Sequence, residues 1–239
     1  MKIRNLFLLF CILQSALAFP VGRRPRFCIF PSTAHAQLQG VKTGDVLEIR
    51  GVRGIVFEVD DEGTHGKMMS VDGFRGAKDL YCSKASLLKK IDMQSETDGS
   101  ANTKALFDYA SANGISLSEF PVYQWCKSLG EGWYIPSVGE LKLFINYWLG
   151  NTDTEEDWEE DEEVSVAADD DVAHTKKVDR ILLDAGGIPF INGVFTSTIG
   201  KGRKVDVFSH DKKAGKWMFT KTAPMDIDKF CVGRAFYNF

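Results

Sequence analysis

Residues 130–141 read GEGWYIPSVGEL, and the fold turns on what this run does. Ser137-x-x-Glu140 is a capping box, in which each side chain satisfies the other's backbone N–H. Val138, Leu141, Ile145 and Trp148 recur at helical spacing, and Gly150 closes the helix they predict. Upstream, Pro121 opens a short helix at a position that needs no backbone N–H, and that helix runs to Leu129. The quoted stretch is therefore a connector between two helices. Gly130 and Gly132 tolerate backbone angles that other residues avoid, and Pro136 holds Ile135 extended. Trp133 and Ile135 are candidate core residues. Gly132, Trp133, Pro136, Ser137, Glu140 and Leu141 form a structural motif, and nothing in these residue types implies reactivity.

Before the connector, the segment GDVLEIRGVRGIVFEVDDEGTHGKMMSVDG reads as strands. Ile55, Phe57 and Val59 alternate onto one face, Asp60 to Gly63 turns, and Lys67 to Val71 returns as the second arm of a hairpin. A helix over 101–112 is capped by Asp98 or Ser100 and ended by Asn113-Gly114. After the connector, a helix over 173–185 ends at Gly186-Gly187. GVFTST, RKVDVFSH, KWMFTK and KFCVGRAF are strand-like, with Ala214-Gly215-Lys216 as a tight turn. Strands, then helices, then strands predict an α+β domain.

The chain opens MKIRNLFLLFCILQSALAFP. Lys2 and Arg4 precede an apolar run too short for the roughly 20 residues that span a bilayer. Ala16-Leu17-Ala18 supplies a small-x-small cleavage site, so residues 1–18 read as a secretory signal peptide. A second such site, Ala34-His35-Ala36, leaves the cleavage point open. Residues 19–43 read as an extended leader and residues 44–239 as one domain. Residues 153–171 hold twelve acids and no Lys or Arg, so 151–172 reads as a solvated acidic loop inserted into the domain. Outside that run 29 basic residues meet 21 acidic ones, scattered along the chain. Scatter of that kind gives nucleic-acid binding little support. Four cysteines remain beyond the signal, Cys28, Cys82, Cys126 and Cys231. An even count in an exported chain points to disulfides, and no C-x-x-C pair suggests zinc.

GIVFEVDDEGTHGKMMSV, DGSANT, WCKSLGEGWYIPSVGEL, FTST and CVGRAF occur in this order. Together they resemble exported bacterial domains of the Lcl C-terminal type, common in gut Bacteroidota and distantly C-type-lectin-like. The resemblance covers roughly residues 44–239 and is most specific from Trp125 to Leu141. It implies two or three helices on a twisted, mainly antiparallel sheet whose N- and C-terminal strands pair. It also implies ligand binding without chemistry, and a disulfide between Cys126 and Cys231, which leaves Cys28 and Cys82 as a second pair by elimination. This chain departs from the pattern at Phe195-Thr196-Ser197-Thr198, where the family usually has Trp-Ser-Ser-Thr, and in its long acidic insertion. It also lacks the Glu-Pro-Asn and Trp-Asn-Asp calcium motifs of sugar-binding animal lectins.

Direct chemistry is sparse in the residues. No G-x-S-x-G elbow and no H-x-x-x-H pair occurs. His65 falls in a turn and His210 at a strand end. The acidic run has no glycine, which an EF-hand loop needs at its centre, and Trp158 within it is a candidate anchor. No metal, cofactor or catalytic residue is expected. The candidate ligand-binding residues are Phe195, Thr196, Lys201, Arg203 and Trp217, on the strands and loops of the C-terminal half. The expected function is an exported, non-catalytic binding or adhesion module for an extracellular glycan or protein, with no membrane span and no nucleic-acid partner. The alternatives are a subunit of a surface assembly, with the leader inserted into a neighbour, and an enzyme of the formylglycine-generating kind, which needs a reactive thiol pair.

Overall fold

The computed structural model describes residues 27–29, 40–75, 80–150, 163–164, 169–190, 193–211, 216–227 and 231–239. The predicted signal peptide, Trp158 and the turn at Ala214-Gly215 lie outside these. The described chain is a mixed α+β fold.

The first sheet begins with β1 (Phe27–Ile29), β2 (Val46–Ile49), β3 (Val52–Val59) and β4 (Gly66–Ser70). β2 and β3 are joined by Arg50-Gly51, both at positive φ (53° and 83°). That backbone is the two-residue turn whose twist matches an antiparallel pair. β3 and β4 form the expected hairpin, and the carboxylate of Asp60 closes its turn by accepting from the backbone N–H groups of Thr64 (2.8 Å) and His65 (3.2 Å). A bulge after Val56 alters the expected face. Ile55 and Phe57 point into one core, whereas Val59 packs on the other. One extra residue in a strand turns every later side chain over.

Helices α1 (Gly99–Ala112), α2 (Pro121–Ser128) and α3 (Val138–Leu149) follow at the predicted places, with Asp98 as the cap of α1. Between α2 and α3 the connector contains a strand, β5 (Trp133–Tyr134). The acidic insertion is not all loop. Glu163–Val164 forms β6, and α4 (Asp169–Asp184) takes in its last acids. β7 (Val194–Ile199), β8 (Val205–Asp211) and β9 (Lys216–Thr222) form a second, antiparallel sheet in the order β6-β9-β8-β7. Of KFCVGRAF only the end is strand: Val232 and Gly233 make isolated bridges, and β10 is Phe236–Asn238.

The first sheet runs β1-β2-β3-β4-β10-β5. The pairing of N- and C-terminal strands implied by the resemblance is therefore corrected. β10 lies between β4 and β5, antiparallel to both, while β1 sits parallel to β2 at the far edge. The short connector strand provides the partner that draws the tail to that side. The predicted leader also contributes to the fold, through β1.

Two cores result. Leu47, Val56, Met68 and Trp133 pack with Leu106 of α1 and Val122, Tyr123 and Cys126 of α2. Ile55, Phe57, Met69 and Phe236 pack with Leu141, Phe144, Ile145 and Trp148 of α3 and Val178 and Leu182 of α4. The second sheet feeds both, with Phe195 and Val207 in the first and Val194 and Phe208 in the second. Among the described residues no helix is long and apolar enough to cross a membrane.

Candidate functional site

Glu140 is the centre of a buried polar knot. The capping box places its carboxylate beside Ser137, where Oε2 accepts from the backbone N–H and the hydroxyl of Ser137, each at 2.9 Å. The same oxygen accepts from the backbone N–H of Gly99 (2.9 Å), so one carboxylate holds the N-termini of both α1 and α3, where the helix dipoles favour negative charge. Oε1 accepts from the phenol of Tyr134 at 2.8 Å, and that phenol lies 2.7 Å from the side-chain amide of Asn238 in β10. A phenol has one proton. It is shared between two acceptors, Glu140 Oε1 and Asn238 Oδ1. Burial, and then the neighbouring Glu140, push the Tyr134 phenol well above its usual value.

The same region gathers the other motifs. Ser197 donates its backbone N–H to the Pro136 carbonyl (2.7 Å), and Asn102 donates to the Ser197 hydroxyl (3.3 Å). Thr198 accepts from the backbone N–H of Val138 (3.0 Å) and donates to the Ser95 carbonyl (2.9 Å). Thr103 accepts from the backbone N–H of Ile135 at 3.0 Å. The motif segments DGSANT, YIPSVGEL and FTST and the last strand thus meet at one place and cross-link it. Gly99 and Gly132 are required there. A methyl group on Gly99 would lie 2.5 Å from the Ile135 carbonyl oxygen, and one on Gly132, held at φ 91°, would lie 2.6 Å from the Tyr237 ring. Glu140, Ser137 and Tyr134 are closed to solvent, and only Asn238 at the rim of the knot is exposed. The chemistry of the knot is that of a fastener.

A second buried device clamps the tail. The Arg234 guanidinium donates to the carbonyls of Ser70 (3.2 Å), Val71, Ile188 and Pro189 (2.9 Å each). Burial pushes it down to about 9, so it stays cationic at neutral pH.

The five candidate ligand residues do not converge. Phe195 and Thr196 have no exposure, because β7 is covered on both faces. Phe195 packs edge-on against Tyr81 at 5.5 Å. Neither is placed to touch a ligand at the surface, so the expectation for these two is corrected. Lys201 falls in a 3-10 turn, Lys201–Arg203, with its side chain outside the described residues. Arg203, the last residue of that turn, is exposed two residues before β8, and Trp217 pairs with His210 near the far end of that strand. Five residues of strand, about 17 Å, separate the two ends. The implied Cys126–Cys231 disulfide is also corrected: Cys126 is a buried thiol pushed well above its usual value by desolvation. The eliminated pair, Cys28 with Cys82, involves a Cys28 side chain outside the described residues.

What the surface does present is β9. Trp217, Met218, Phe219 and Thr220 are all half-buried, so both faces of this strand reach water, whereas Val205 to Phe208 on β8 are buried. The Trp217 ring stacks on Phe208 (5.2 Å, 15°) and meets Trp148 edge-on (5.5 Å). Phe219 packs on Phe208 and carries the Lys142 ammonium 5.8 Å above its ring. Trp217 and Phe219 are legible as an alternating pair. Lys142 is not, since its position over Phe219 follows from how α3 crosses the sheet. Among the described residues no group of three or more His, Cys, Asp or Glu side chains is gathered as a metal site.

Compared with protein-family models, with curated proteins and with solved structures, the chain matches none.

Proposed function

We propose that this chain is an exported, C-type-lectin-like binding module of the Lcl C-terminal kind, which holds an extracellular glycan or protein against the exposed strand β9. The supporting observation is the pair Trp217 and Phe219, half-exposed side by side with the Lys142 ammonium above Phe219. Aromatic faces with a cation beside them suit sugar rings and aromatic-rich peptides alike. The burial of the Cys126 thiol, the opposite of an activated nucleophile, favours binding over the formylglycine-generating alternative. A glycan and matrix-protein array probed with the purified chain tests the reading. The expected result is retention on a defined glycan or protein, weakened at least about tenfold by Trp217→Ala with Phe219→Ala, roughly 1.4 kcal/mol. An array without retention, or retention untouched by that double substitution, overturns it.

A second reading, a subunit of a surface assembly, requires β1 to leave its own β2 for a neighbour's. This three-residue edge strand is drawn from the leader and seated parallel on β2. Deleting residues 19–39 and following oligomer size on extracted cell surface tests it, with loss of the large species expected.

A further inference from the structure

We infer that the two turns Ala85–Lys90 and Lys201–Arg203 form an anion-binding rim for a sulfated or carboxylated polysaccharide, separate from the β9 surface. The turns come from distant parts of the chain and are locked together. Arg203 donates from Nη1 to the Leu88 carbonyl at 2.9 Å, and the Ile199 backbone N–H donates to the Met93 carbonyl at 2.7 Å. The first contact sets a guanidinium on the carbonyl end of the first turn, where a cation is favoured. It also seats Arg203, with Lys204 next to it in sequence, on the turn that ends in Lys89 and Lys90.

All four residues are exposed. None of the three lysine ammonium groups has an ion-pair partner among the described residues, although such pairs form elsewhere, as between Lys67 and Glu58 and between Lys104 and Asp108. Two acids lie within two residues of these cations: Asp92, which accepts from the side-chain amide of Gln94, and Asp206, which is buried in β8. Four like charges held on two fastened turns repel each other, and a polyanion relieves that repulsion.

The composition of the rim selects the class of polyanion. Three of the four cations just named are lysines, point charges that suit a repeating anion better than one planar carboxylate. Residues 84–94 and 199–206 contain no aromatic side chain, so the rim offers unpaired bases nothing to stack on. A charged polymer without bases fits it.

The test uses the purified chain on immobilised dextran sulfate, with uncharged dextran and single-stranded DNA of matched charge as competitors. Dextran sulfate is expected to bind and dextran to fail. Lys89→Gln with Lys90→Gln should weaken binding at least tenfold and lower the slope of log affinity against log salt by about one to two, since each neutralised contact releases roughly 0.7–0.9 counterion. Lys204→Gln should act in the same direction. Lys104→Gln, which removes a cation paired with Asp108 elsewhere, should change nothing. Trp217→Ala should also leave dextran sulfate binding intact, so failure here and failure of the β9 reading are separable. Wild-type affinity in the Lys89/Lys90 double variant, or DNA that competes as well as dextran sulfate, overturns the inference. Arg203 is left in place because its loss would unfasten the two turns.

Discussion

Arg234 shows how much a single side chain can hold. Its guanidinium is buried and joins carbonyls 45 to 164 residues away in sequence, with Nε left without a partner. Arg234→Met keeps the apolar stem but takes a donor from four carbonyls, of which that of Val71 keeps a second one, the Ile188 backbone N–H at 3.1 Å. It is expected to cost about 3 kcal/mol or more, read as a lowered midpoint of urea unfolding. A midpoint within error of wild type would show that water replaces the guanidinium. Asp60 makes a pH prediction. The Thr64 backbone N–H, then the Thr64 hydroxyl and His65, hold its carboxyl well below the usual carboxylate range, against a smaller opposing effect of desolvation. A carboxyl depressed in the folded state adds stability above its unfolded value and loses it as pH falls through the folded one. The Asp60 side-chain carbon resonance should therefore stay put as pH drops from 7 to 3, and movement near 4 would contradict the turn geometry. Asp60 was legible as a turn residue from its neighbours. Arg234 was not, because nothing local distinguishes a clamp from a surface arginine in KFCVGRAF.

The helix pair α1 and α3 is where local signals and tertiary contacts agree. Ser137-x-x-Glu140 announced a helix start, and the box is present with both bonds made. Its further role, reaching 41 residues back to Gly99, carries no local mark. Gly99 then gives a prediction against the usual sign. Glycine to alanine in a helix ordinarily gains up to about 1 kcal/mol. At Gly99 the added methyl meets backbone at 2.5 Å on two sides, and backbone cannot swing away. Gly99→Ala should destabilise by about 1–3 kcal/mol in thermal unfolding, and a stabilised protein would refute the close packing of α1 on the connector. Cys126 on α2 supplies a check on the first core. Its thiol should resist iodoacetamide in the native protein and react fully once unfolded, whereas a cystine would stay unreactive until reduced. β5 was the element missed. Two residues, Trp133 and Tyr134, are too short for alternation to show, and only the arrival of β10 defines them as strand.

Across the whole molecule, the order of strand and helix types was enough for the α+β class, because period 2 and period 3.6 segments are well separated along the chain. The division into two sheets was not legible. It depends on which strands meet, and β10 pairs with segments far from it in sequence. Removing residues 236–239 should leave β4 and β5 with no strand between them and expose core that Phe236 now covers. The truncated chain is expected to lose its cooperative melting transition and bind a hydrophobic dye. A sharp transition near the wild-type temperature would mean that the tail is dispensable. The seat of β10 also has a consequence in time. Residues 236–238 leave the ribosome after the other described strands, and β4 and β5 have no common neighbour until they arrive. Until they do, the first sheet keeps an open slot between β4 and β5, the place that β10 fills.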